Sequence, residues 1–538
     1  MAERTDFGVL YGQKTTEDAL LIYSSYEDAK ASPKQGDFII LTPKNEDGRK
    51  FLTRVEAEIY DEDPIFRSQD KTLVAVHYAR IAERELSERD KQKMFSYTYK
   101  VKMLGTFTDS GHSIEFTTAV RKLPVVSYHA RHLSKREVDA IINKPDSGGV
   151  PIGELCIGED IHKDKGDILF DVQRLREKRT MVFAQSGFGK TNFVKILLYH
   201  IIGDTKFGKL VFDLNGEYFL KSEKTLGLGD IDESKMRENV VVYSNKDIDE
   251  KYEGHFILGG KVLLNMRKHL TIGDILTFGT GFSSVMENFL HYLDDEGVED
   301  FIENVDKYVR SPEELHKKYP DFFKEKDKSA TRTIAAIRKR LRPLIDEGKG
   351  LHSGTSEMLE DIFKYLKQGK TVIVDFSLKD TREAGIISTM IVRKLFEHNK
   401  AEFTSNKPDA VIETVIFVEE AQNVLSEQLV KTDANPFVRC AKEGRKFGLG
   451  MVAITQRPSA ISEEIRTQAE NFFAFYMGNS DDIKALVKSN IHYDGVISSF
   501  IQRETIKGNL YMVSSDRAFV VPVRVVLFED LVKNKVYK

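Results

Sequence analysis

Residues 181 to 191 read Met-Val-Phe-Ala-Gln-Ser-Gly-Phe-Gly-Lys-Thr, and this stretch decides the fold. The apolar run at 181–184 predicts a buried strand, a glycine-bearing loop follows it, and Lys190 and Thr191 begin an apolar helix. A strand, a loop that ends in Gly-Lys-Thr and a helix form the context that a phosphate-binding loop requires. An ordinary glycine-rich turn before a core helix is the alternative, but the coincidence of all three parts favours the phosphate site.

The residues of this loop have the chemistry that phosphate binding needs. Gly187 and Gly189 let backbone N–H groups approach a phosphate without a Cβ clash, and the helix N-terminus adds partial positive charge. Lys190 would reach the β- and γ-phosphates, and the Thr191 hydroxyl would hold Mg²⁺. The nucleotide-binding residues that we predict are Gln185, Ser186, Gly187, Phe188, Gly189, Lys190, Thr191 and Asn192. Ala184 is a departure, because the common pattern begins with glycine and alanine resists a positive φ.

A second element, Val415-Ile-Phe-Val-Glu-Glu420, is an apolar strand that ends in two carboxylates. We predict that Glu419 orients Mg²⁺ through its water shell and that Glu420 polarises the attacking water. Many enzymes with this element have Asp in the first position, so Glu419 departs from the pattern by one methylene group. Two carboxylates that merely face solvent at a strand end are the alternative.

Three more polar residues lie beside these elements. Gln456 follows the next predicted strand, where its amide can hydrogen-bond the γ-phosphate or the water; a polar turn is the alternative. Arg445 is a candidate finger donated to a neighbouring subunit's nucleotide, a device worth about 10³- to 10⁵-fold in rate. Arg179, just ahead of the first strand, is a second candidate. A lone arginine ordinarily forms a surface salt bridge, and only the motif context favours a catalytic role for these two.

The apolar runs from residue 181 onward alternate with helical segments, which predicts a mostly parallel sheet with right-handed crossovers. These runs lie at 181–184, 209–214, 239–243, 371–375, 414–418, 450–454 and 472–476. In such a sheet, ligands bind at the carboxyl ends of the strands. The phosphate loop and the polar residues that close the strands fall at those ends.

The rest of the chain suggests further domains. Short β-like runs at 7–11, 19–23, 37–41, 73–77 and 97–104, separated by turn residues, predict a small β-barrel. A barrel ahead of a nucleotide-binding domain is more often a docking collar than a catalytic unit.

Residues 144–149 read as a linker. Helical spacing in 270–366 predicts an insertion with a basic cluster, Arg338 to Arg342, for which a solvated helix face is the simpler interpretation. The predicted domains are 1–145 (barrel and linker), 146–269 (first part of the core), 270–366 (helical insertion) and 367–538 (second part of the core and C-terminal extension).

Composition limits the class of protein. The chain has 538 residues, 41% of them hydrophobic, and a formal net charge of -4, so no global basic field attracts nucleic acid. Any DNA contact would need a local patch, such as a pore. Cys156 and Cys440 form no CxxC pair, which suits a reducing cytoplasm and argues against a disulfide framework or a zinc site. The polar N-terminus and the absence of a long apolar run predict a cytoplasmic protein without a membrane span.

Four elements in this order resemble the HerA branch of the HerA/FtsK ATPases. They are Ala184 to Thr191, Asp213-Leu-Asn-Gly-Glu-Tyr218, Phe417-Val-Glu-Glu-Ala-Gln422, and Glu443-Gly-Arg-Lys-Phe-Gly448 with Thr455-Gln-Arg-Pro458. The resemblance covers essentially the whole chain. It implies an α/β fold with a RecA-like P-loop NTPase core, an N-terminal small β-barrel and a helical insertion. Gln422 is a departure, because the family often has His there, and it touches coupling more than chemistry.

The resemblance also implies an assembly and an activity. Members form hexameric rings with ATP and Mg²⁺ between subunits, move double-stranded DNA through the pore and partner with a nuclease. The residues that would share one subunit's site are Lys190, Thr191, Glu419, Glu420 and Gln456. Arg445 matches the family's finger, which acts in trans, and Arg179 matches a further phosphate-sensing arginine. Glu217 matches the acid of the Gly-Glu-Tyr element.

Two functions remain open. The first is a Mg²⁺-dependent ATPase whose ring translocates duplex DNA and works with a separate effector. The second is an ATP-regulated scaffold ring that assembles and controls an effector without moving DNA. Some relatives are bacterial anti-phage ATPases that assemble with a sirtuin-like NADase or a nuclease. This chain has no recognisable effector motif, so we expect an effector to be a separate polypeptide. A nucleotide-binding protein of unrelated function is a third and less favoured hypothesis.

Overall fold

The structure is a computed structural model, and it divides by its contacts into two compact units. The residues that it describes are 6–14, 19–25, 33–44, 48–60, 96–143, 149–157, 160–220, 225–231, 233–278, 282–293, 295–323, 328–347, 350–405, 408–431 and 435–534. We call residues 1–171 and 474–526 the barrel unit, and residues 172–473 and 527–538 the sheet unit. The strand predicted at 73–77 and all but the last residue of the predicted linker lie outside the described residues.

The barrel unit begins with a closed β-barrel, as predicted. Its strands are β1 (Asp6–Lys14), β2 (Ala19–Ser25), β3 (Phe38–Thr42), β4 (Lys50–Tyr60), β5 (Ser96–Asp109), β6 (Ile114–Thr117) and β7 (His129–His132). The pairing order β2-β1-β7-β3-β4-β5 closes because β2 also pairs with β5, and β6 extends β5 outside the ring. Closure leaves the six ring strands without a free edge. Phe7, Ile22, Ile39, Phe51 and Tyr99 are among the buried side chains that fill the barrel.

A short connecting region follows the barrel. It contains the helix α1 (Lys135–Glu137), which continues as a π-helix at Val138–Asn143, and the strands β8 (Val150–Ile157), β9 (Asp160–Ile161) and β10 (Asp167–Phe170). Ser134 and Glu137 form a capping box that fixes the start of α1. Neither β8 nor β10 has a clear sequence signal, and the sequence does not predict these two strands.

The sheet unit is built on a mostly parallel set of strands. They are β11 (Arg179–Phe183), β12 (Gly208–Asp213), β13 (Val240–Ser244), β14 (Ile257–Gly260), β15 (Thr371–Asp375), β16 (Thr414–Val418), β17 (Leu449–Thr455) and β18 (Asn471–Ala474). Their order is β18-β11-β17-β16-β12-β15-β13-β14, and every pair from β11 to β14 is parallel. The central strands are buried along their whole length, which is why they read as unbroken apolar runs. The predicted mostly parallel α/β core is confirmed.

Helices connect these strands. They are α2 (Lys190–Ile201), α3 (Ser234–Asn239), α4 (Met266–His269), α5 (Ile272–Phe278), α6 (Ser284–Tyr292), α7 (Asp295–Arg310), α8 (Pro312–Lys318), α9 (Lys328–Ile345), α10 (Met358–Lys367), α11 (Thr381–Thr404), α12 (Gln422–Leu425), α13 (Glu427–Val430), α14 (Pro436–Glu443) and α15 (Glu463–Thr467). The 24-residue helix α11 begins at a capping box formed by Asp380 and Glu383. None of the described helices combines the length and hydrophobicity that a bilayer crossing requires.

The predicted helical insertion, 270–366, contains the helices α5 to α9 and all but the last residue of α10, and aromatic side chains pack together within it. The ring of Phe289 lies 5.4 Å from that of Phe301 and 5.0 Å from that of Phe323, measured between centroids. Two members of the basic cluster on α9 are ion-paired within this region, Arg338 with Asp306 and Arg342 with Asp346. These pairs support the interpretation of the cluster as a solvated helix face.

The C-terminal part returns to the barrel unit and then to the sheet unit. It contains α16 (Ser480–Ser489), α17 (Val496–Arg503), β19 (Asn509–Val513) and β20 (Val521–Val525), and the chain continues into α18 (Phe528–Asn534). In the barrel unit, β10, β8, β20 and β19 pair in that order, all antiparallel. In the sheet unit, α18 packs on α2, where the Asn192 side chain accepts a hydrogen bond from the Phe528 N–H (2.8 Å).

Candidate active site

The order of the strands brings the predicted motifs to one edge of the sheet. Strands β11, β17, β16 and β12 are neighbours, so their carboxyl ends lie side by side. The phosphate loop leaves β11, Gln456 follows β17, Glu419 and Glu420 follow β16, and Asp213 ends β12. Parallel sheets bind ligands at this edge.

The phosphate loop has the backbone that its glycines suggest. Gly187 and Gly189 have φ values of 84° and 107°, and Gly189 is the N-cap of α2. Among the described non-glycine residues, only Ser127, Glu177 and Glu420 have positive φ, so Ala184 does not. Ala184 is fully buried instead, and its N–H donates to the Thr455 carbonyl (3.2 Å). The absence of glycine at 184 therefore causes no backbone strain. Gln185 and Ser186 are exposed at the tip of the loop.

Two of the predicted residues, Lys190 and Gln456, contact a third, Glu420. The Lys190 ammonium group lies 3.2 Å from Glu420 Oε1, and the Gln456 amide donates to the same oxygen at 3.1 Å. The backbone of Glu420 is in the left-handed region, with φ at 45°. A non-glycine residue pays a conformational penalty there, and such strain is concentrated at functional sites. The strained turn directs the Glu420 carboxylate at the lysine of the phosphate loop.

Gln422 completes the surroundings of Glu420. Its amide donates to Glu420 Oε2 at 2.6 Å, and its own carbonyl oxygen accepts a hydrogen bond from the Thr455 hydroxyl at 2.5 Å. Burial acts to raise the pKa of Glu420, but the hydrogen bond from Gln422, the charge of Lys190 and the hydrogen bond from Gln456 outweigh it and lower that pKa. Glu420 is thus held ionised. The family resemblance relates Gln422 to coupling, and no signal in the sequence indicates its contact with Glu420.

Glu419 has a different environment from its neighbour. It is almost fully buried, its Oε1 accepts a hydrogen bond from the Tyr218 hydroxyl at 2.7 Å, and its Oε2 accepts one from the Leu214 N–H at 3.1 Å. Burial, together with the charge of Asp213, raises the pKa of Glu419 to about 8. Two adjacent carboxyl groups therefore differ in protonation preference, which is how environment assigns distinct roles to similar groups.

The predicted metal ligands lie beside a third carboxylate. The Thr191 hydroxyl donates to Glu217 Oε2 at 2.7 Å, and Glu217 belongs to the turn that follows β12. Hydroxyl and carboxylate oxygens are the ligands that Mg²⁺ prefers. A cation near Glu419 would also favour its ionised form, which burial alone opposes. The donor set at this edge therefore fits Mg²⁺, with Thr191 and Glu419 as the residues that would hold it.

The two predicted arginines lie at the opposite, amino edge of the sheet. Arg445 is exposed on a 3-10 turn, Gly444–Phe447, just before β17. Arg179 begins β11, and its guanidinium group forms a salt bridge with Glu470 (3.1 Å) and donates to the Gln468 side chain (2.9 Å). The structure therefore brings neither arginine to the phosphate loop of its own subunit.

Known protein families match this chain over the regions that contain the site motifs. A sequence family described as the central domain of helicase HerA matches residues 151–395, and a family described as zonular occludens toxin matches residues 322–479. A probable helicase of Methanocaldococcus jannaschii is 24% identical over 450 residues, which cover 82% of this chain and 77% of that protein. The DNA double-strand break repair helicase HerA of Sulfurisphaera tokodaii is 24% identical over 370 residues, which cover 68% of this chain and 66% of that protein. Among solved structures, the plasmid coupling protein TrwB with an ATP analogue is 12% identical, with a TM-score of 0.43 over 70% of this chain and 96% of that one.

The matched regions contain the elements of the site. The HerA family match includes the phosphate loop and the turn from Asp213 to Tyr218, and the alignments with the helicases extend over most of the chain. The closed barrel, the parallel core and the helical region are all present. The chain is therefore similar to the HerA-type ATPases of the HerA/FtsK family, with the match to the HerA central domain over residues 151–395.

Proposed function

We propose that this chain hydrolyses ATP with Mg²⁺ at the carboxyl edge of its sheet, and that a hexameric ring of copies uses this reaction to move double-stranded DNA. The cluster of Lys190, Glu420 and Gln456 beside the phosphate loop carries the proposal. It joins a phosphate-binding lysine, an ionised carboxylate and a polar sensor within hydrogen-bonding distance. These are the parts that phosphoryl transfer to water requires.

The ion pair between Lys190 and Glu420 suggests the first step. Nucleotide phosphates would take over Lys190, while the loop N–H groups around Gly187 and Gly189 would hold the remaining phosphate oxygens. This exchange frees Glu420 Oε1 to accept a proton from the attacking water. Gln422 and Gln456 would keep the carboxylate oriented during the exchange. Thr191 and Glu419 would hold Mg²⁺, whose chemistry when bound is to neutralise charge on the phosphates.

The position of Arg445 supports a site shared between subunits. Arg445 is exposed at the amino edge of the sheet, whereas the phosphate loop lies at the carboxyl edge. An arginine finger from this edge can reach a nucleotide only in a neighbouring subunit, which a ring provides. Arg179 would act at the same interface, although its salt bridge with Glu470 would have to rearrange.

The DNA substrate and the cellular role rest on the relatives. Proteins named DNA double-strand break repair helicase HerA match this chain at 22–24% identity. From these names we extend to this chain the handling of double-stranded DNA. A cytoplasmic location and a partnership with a separate effector, either a nuclease or a sirtuin-like NADase, are further proposals that rest on the family resemblance of its motifs. A role in anti-phage defence would use the same motor with such an effector.

The test is the steady-state ATPase rate of the purified protein at low salt, with linear duplex DNA of increasing length. A translocating ring predicts stimulation that grows with DNA length, because longer DNA supports longer runs before release. Duplex of the same total nucleotide concentration but short length is the control. A rate that is indifferent to DNA would contradict the motor and favour the scaffold ring, in which ATP regulates assembly with an effector.

A further inference from the structure

The turn after β12 connects both predicted metal ligands. Its sequence is Asn215-Gly216-Glu217-Tyr218. The side chain of Asp213, at the end of β12, forms hydrogen bonds with the backbone of this turn. The Asp213 carboxylate accepts hydrogen bonds from the Glu217 N–H at 3.1 Å and from the Tyr218 N–H at 3.0 Å. One fully buried carboxylate therefore fixes the backbone positions of two consecutive residues.

Each of those two residues contacts one predicted ligand. The Glu217 carboxylate accepts the Thr191 hydroxyl hydrogen bond, and the Tyr218 hydroxyl donates to Glu419 Oε1 at 2.7 Å. Tyr218 and Glu419 are separated by 201 positions in the chain, and both are buried. The Leu214 N–H holds the other oxygen of Glu419, so the carboxyl plane is fixed from two sides.

The backbone of the turn leaves little freedom for another arrangement. Gly216 has a φ of 67°, and a Cβ atom there would lie 2.3 Å from the Lys246 ammonium nitrogen and 3.0 Å from the Ser377 hydroxyl oxygen. Glycine is therefore needed for the reversal that returns Tyr218 toward Glu419. If Tyr218 only packed in the core, it would not need a hydroxyl group that donates to Glu419.

We propose that Tyr218 is a positioning residue for the metal site, and that its hydroxyl group holds the Glu419 carboxylate in the orientation that receives Mg²⁺ with ATP. The proposal rests on the function assigned above and adds a residue to it. Partners that orient metal ligands typically change metal affinity or activity by about 10- to 100-fold when they are removed.

The test compares Tyr218→Phe with the wild type in binding as well as in turnover. Phenylalanine removes one hydroxyl group and keeps the ring. A fluorescent ribose-labelled ATP analogue is titrated with Mg²⁺ present and again with EDTA, and the Mg²⁺ concentration for half-maximal binding is recorded. We expect this concentration to rise about tenfold in Tyr218→Phe, while affinity in EDTA stays unchanged.

Tyr243→Phe is the matched control. Tyr243 is equally buried on β13 of the same sheet, and its hydroxyl group has no hydrogen-bond partner among the described residues. This variant should behave as the wild type in both titrations. Asp213→Asn provides a second route, because an amide offers one acceptor oxygen to the two N–H groups of the turn. It should raise the half-saturating Mg²⁺ concentration as well.

The outcomes separate this inference from the proposed function. If the wild type shows no Mg²⁺-dependent binding of the analogue, the proposed ATP site itself fails. If the wild type shows it and both Tyr218→Phe and Asp213→Asn match the wild type, only the positioning role is overturned. An equal loss of affinity with Mg²⁺ and with EDTA would show that Tyr218 supports the loop in general, and it would also overturn the inference.

Discussion

The carboxylate Oε1 of Glu420 lies 3.2 Å from the Lys190 ammonium nitrogen, although 230 positions separate the two residues in the chain. The contact exists because only β17 lies between β11 and β16 in the parallel sheet, so two motifs distant in sequence end at the same edge. In this arrangement the Glu420 carboxylate is ion-paired with Lys190, the lysine that we expect to bind the phosphates. The ion pair thus joins nucleotide binding to the release of the group that we propose as the acceptor of the water proton.

Replacing Glu420 with Gln should separate binding from hydrolysis. Glutamine keeps the size of the side chain but cannot accept a proton, and it no longer competes as an anion for Lys190. We expect kcat to fall by about 10²- to 10⁴-fold, the usual contribution of a general base, with equal or tighter ATP binding. Single-turnover hydrolysis and equilibrium binding of ATP measure the two effects. Glu427→Gln, at an exposed site nearby, should change neither; similar loss in both variants would argue against the assignment.

Gln422 should matter because it orients Glu420. Gln422→Ala removes the 2.6 Å hydrogen bond to Glu420 and the acceptor of the Thr455 hydroxyl. Because Glu420 then loses one of its three fixed contacts, we expect kcat to fall about tenfold while KM for ATP changes little. Gln422→His restores a ring N–H donor and should recover most of the rate. If alanine and histidine variants have the same kcat as the wild type, the contact has no role in the reaction.

Much of the core was accessible from sequence because the signals were contiguous. The strand, loop and helix at 181–201 and the strand before Glu419 are local patterns, and the structure contains both. The contacts of Tyr218 with Glu419 and of Gln422 with Thr455 depend on which strands become neighbours, and sequence spacing does not encode that order. Ala184, where the common loop pattern has glycine, has no positive φ, whereas Glu420 has one that no local pattern in the sequence indicates. The strands of the connecting region, such as β8, carry no clear alternation and were missed.

The trans arrangement makes a prediction for mixed rings. Arg445→Ala alone should bind ATP and form rings but hydrolyse slowly, since the finger stabilises charge only in the transition state. Mixing it with Glu420→Gln should restore some activity, because an Arg445 from the second variant can serve a site with an intact Glu420 from the first. The ATPase rate against mixing ratio measures this. Lys446→Ala, on the same exposed turn, is the control and should retain the wild-type rate. If the ATPase rate of every mixture is only the weighted sum of the rates of the two inactive variants, the result contradicts a site shared between subunits.

Lys209 should make stability depend on pH. Its ammonium group is buried in β12, donates to the carbonyls of Gly369 (3.0 Å) and Asp204, and burial lowers its pKa to about 8 from the ordinary 10.5. Between these values the unfolded chain holds a proton that the folded chain has released, so stability rises with pH, by at most about 1.4 kcal/mol per pH unit.

The comparison with Lys209→Met isolates this effect. The variant has no proton to release, so the difference in Tm between wild type and variant should move in favour of the wild type as pH rises from about 8 to about 10. Lys206→Met, at an exposed position in the loop before β12, should track the wild type. A Tm difference that stays constant over this range would show that Lys209 remains charged in the folded protein.

The most direct test of the account is Mg²⁺-dependent ATP hydrolysis by Lys190→Ala, measured beside the wild type and the exposed-site control Lys206→Ala. Lys190 is the residue on which the phosphate loop and the Glu420 cluster converge. We predict that wild type and control hydrolyse ATP at the same rate and that the rate of Lys190→Ala falls to background while this variant keeps the Tm of a folded protein. ATP hydrolysis retained by Lys190→Ala at the wild-type rate would contradict the site described here.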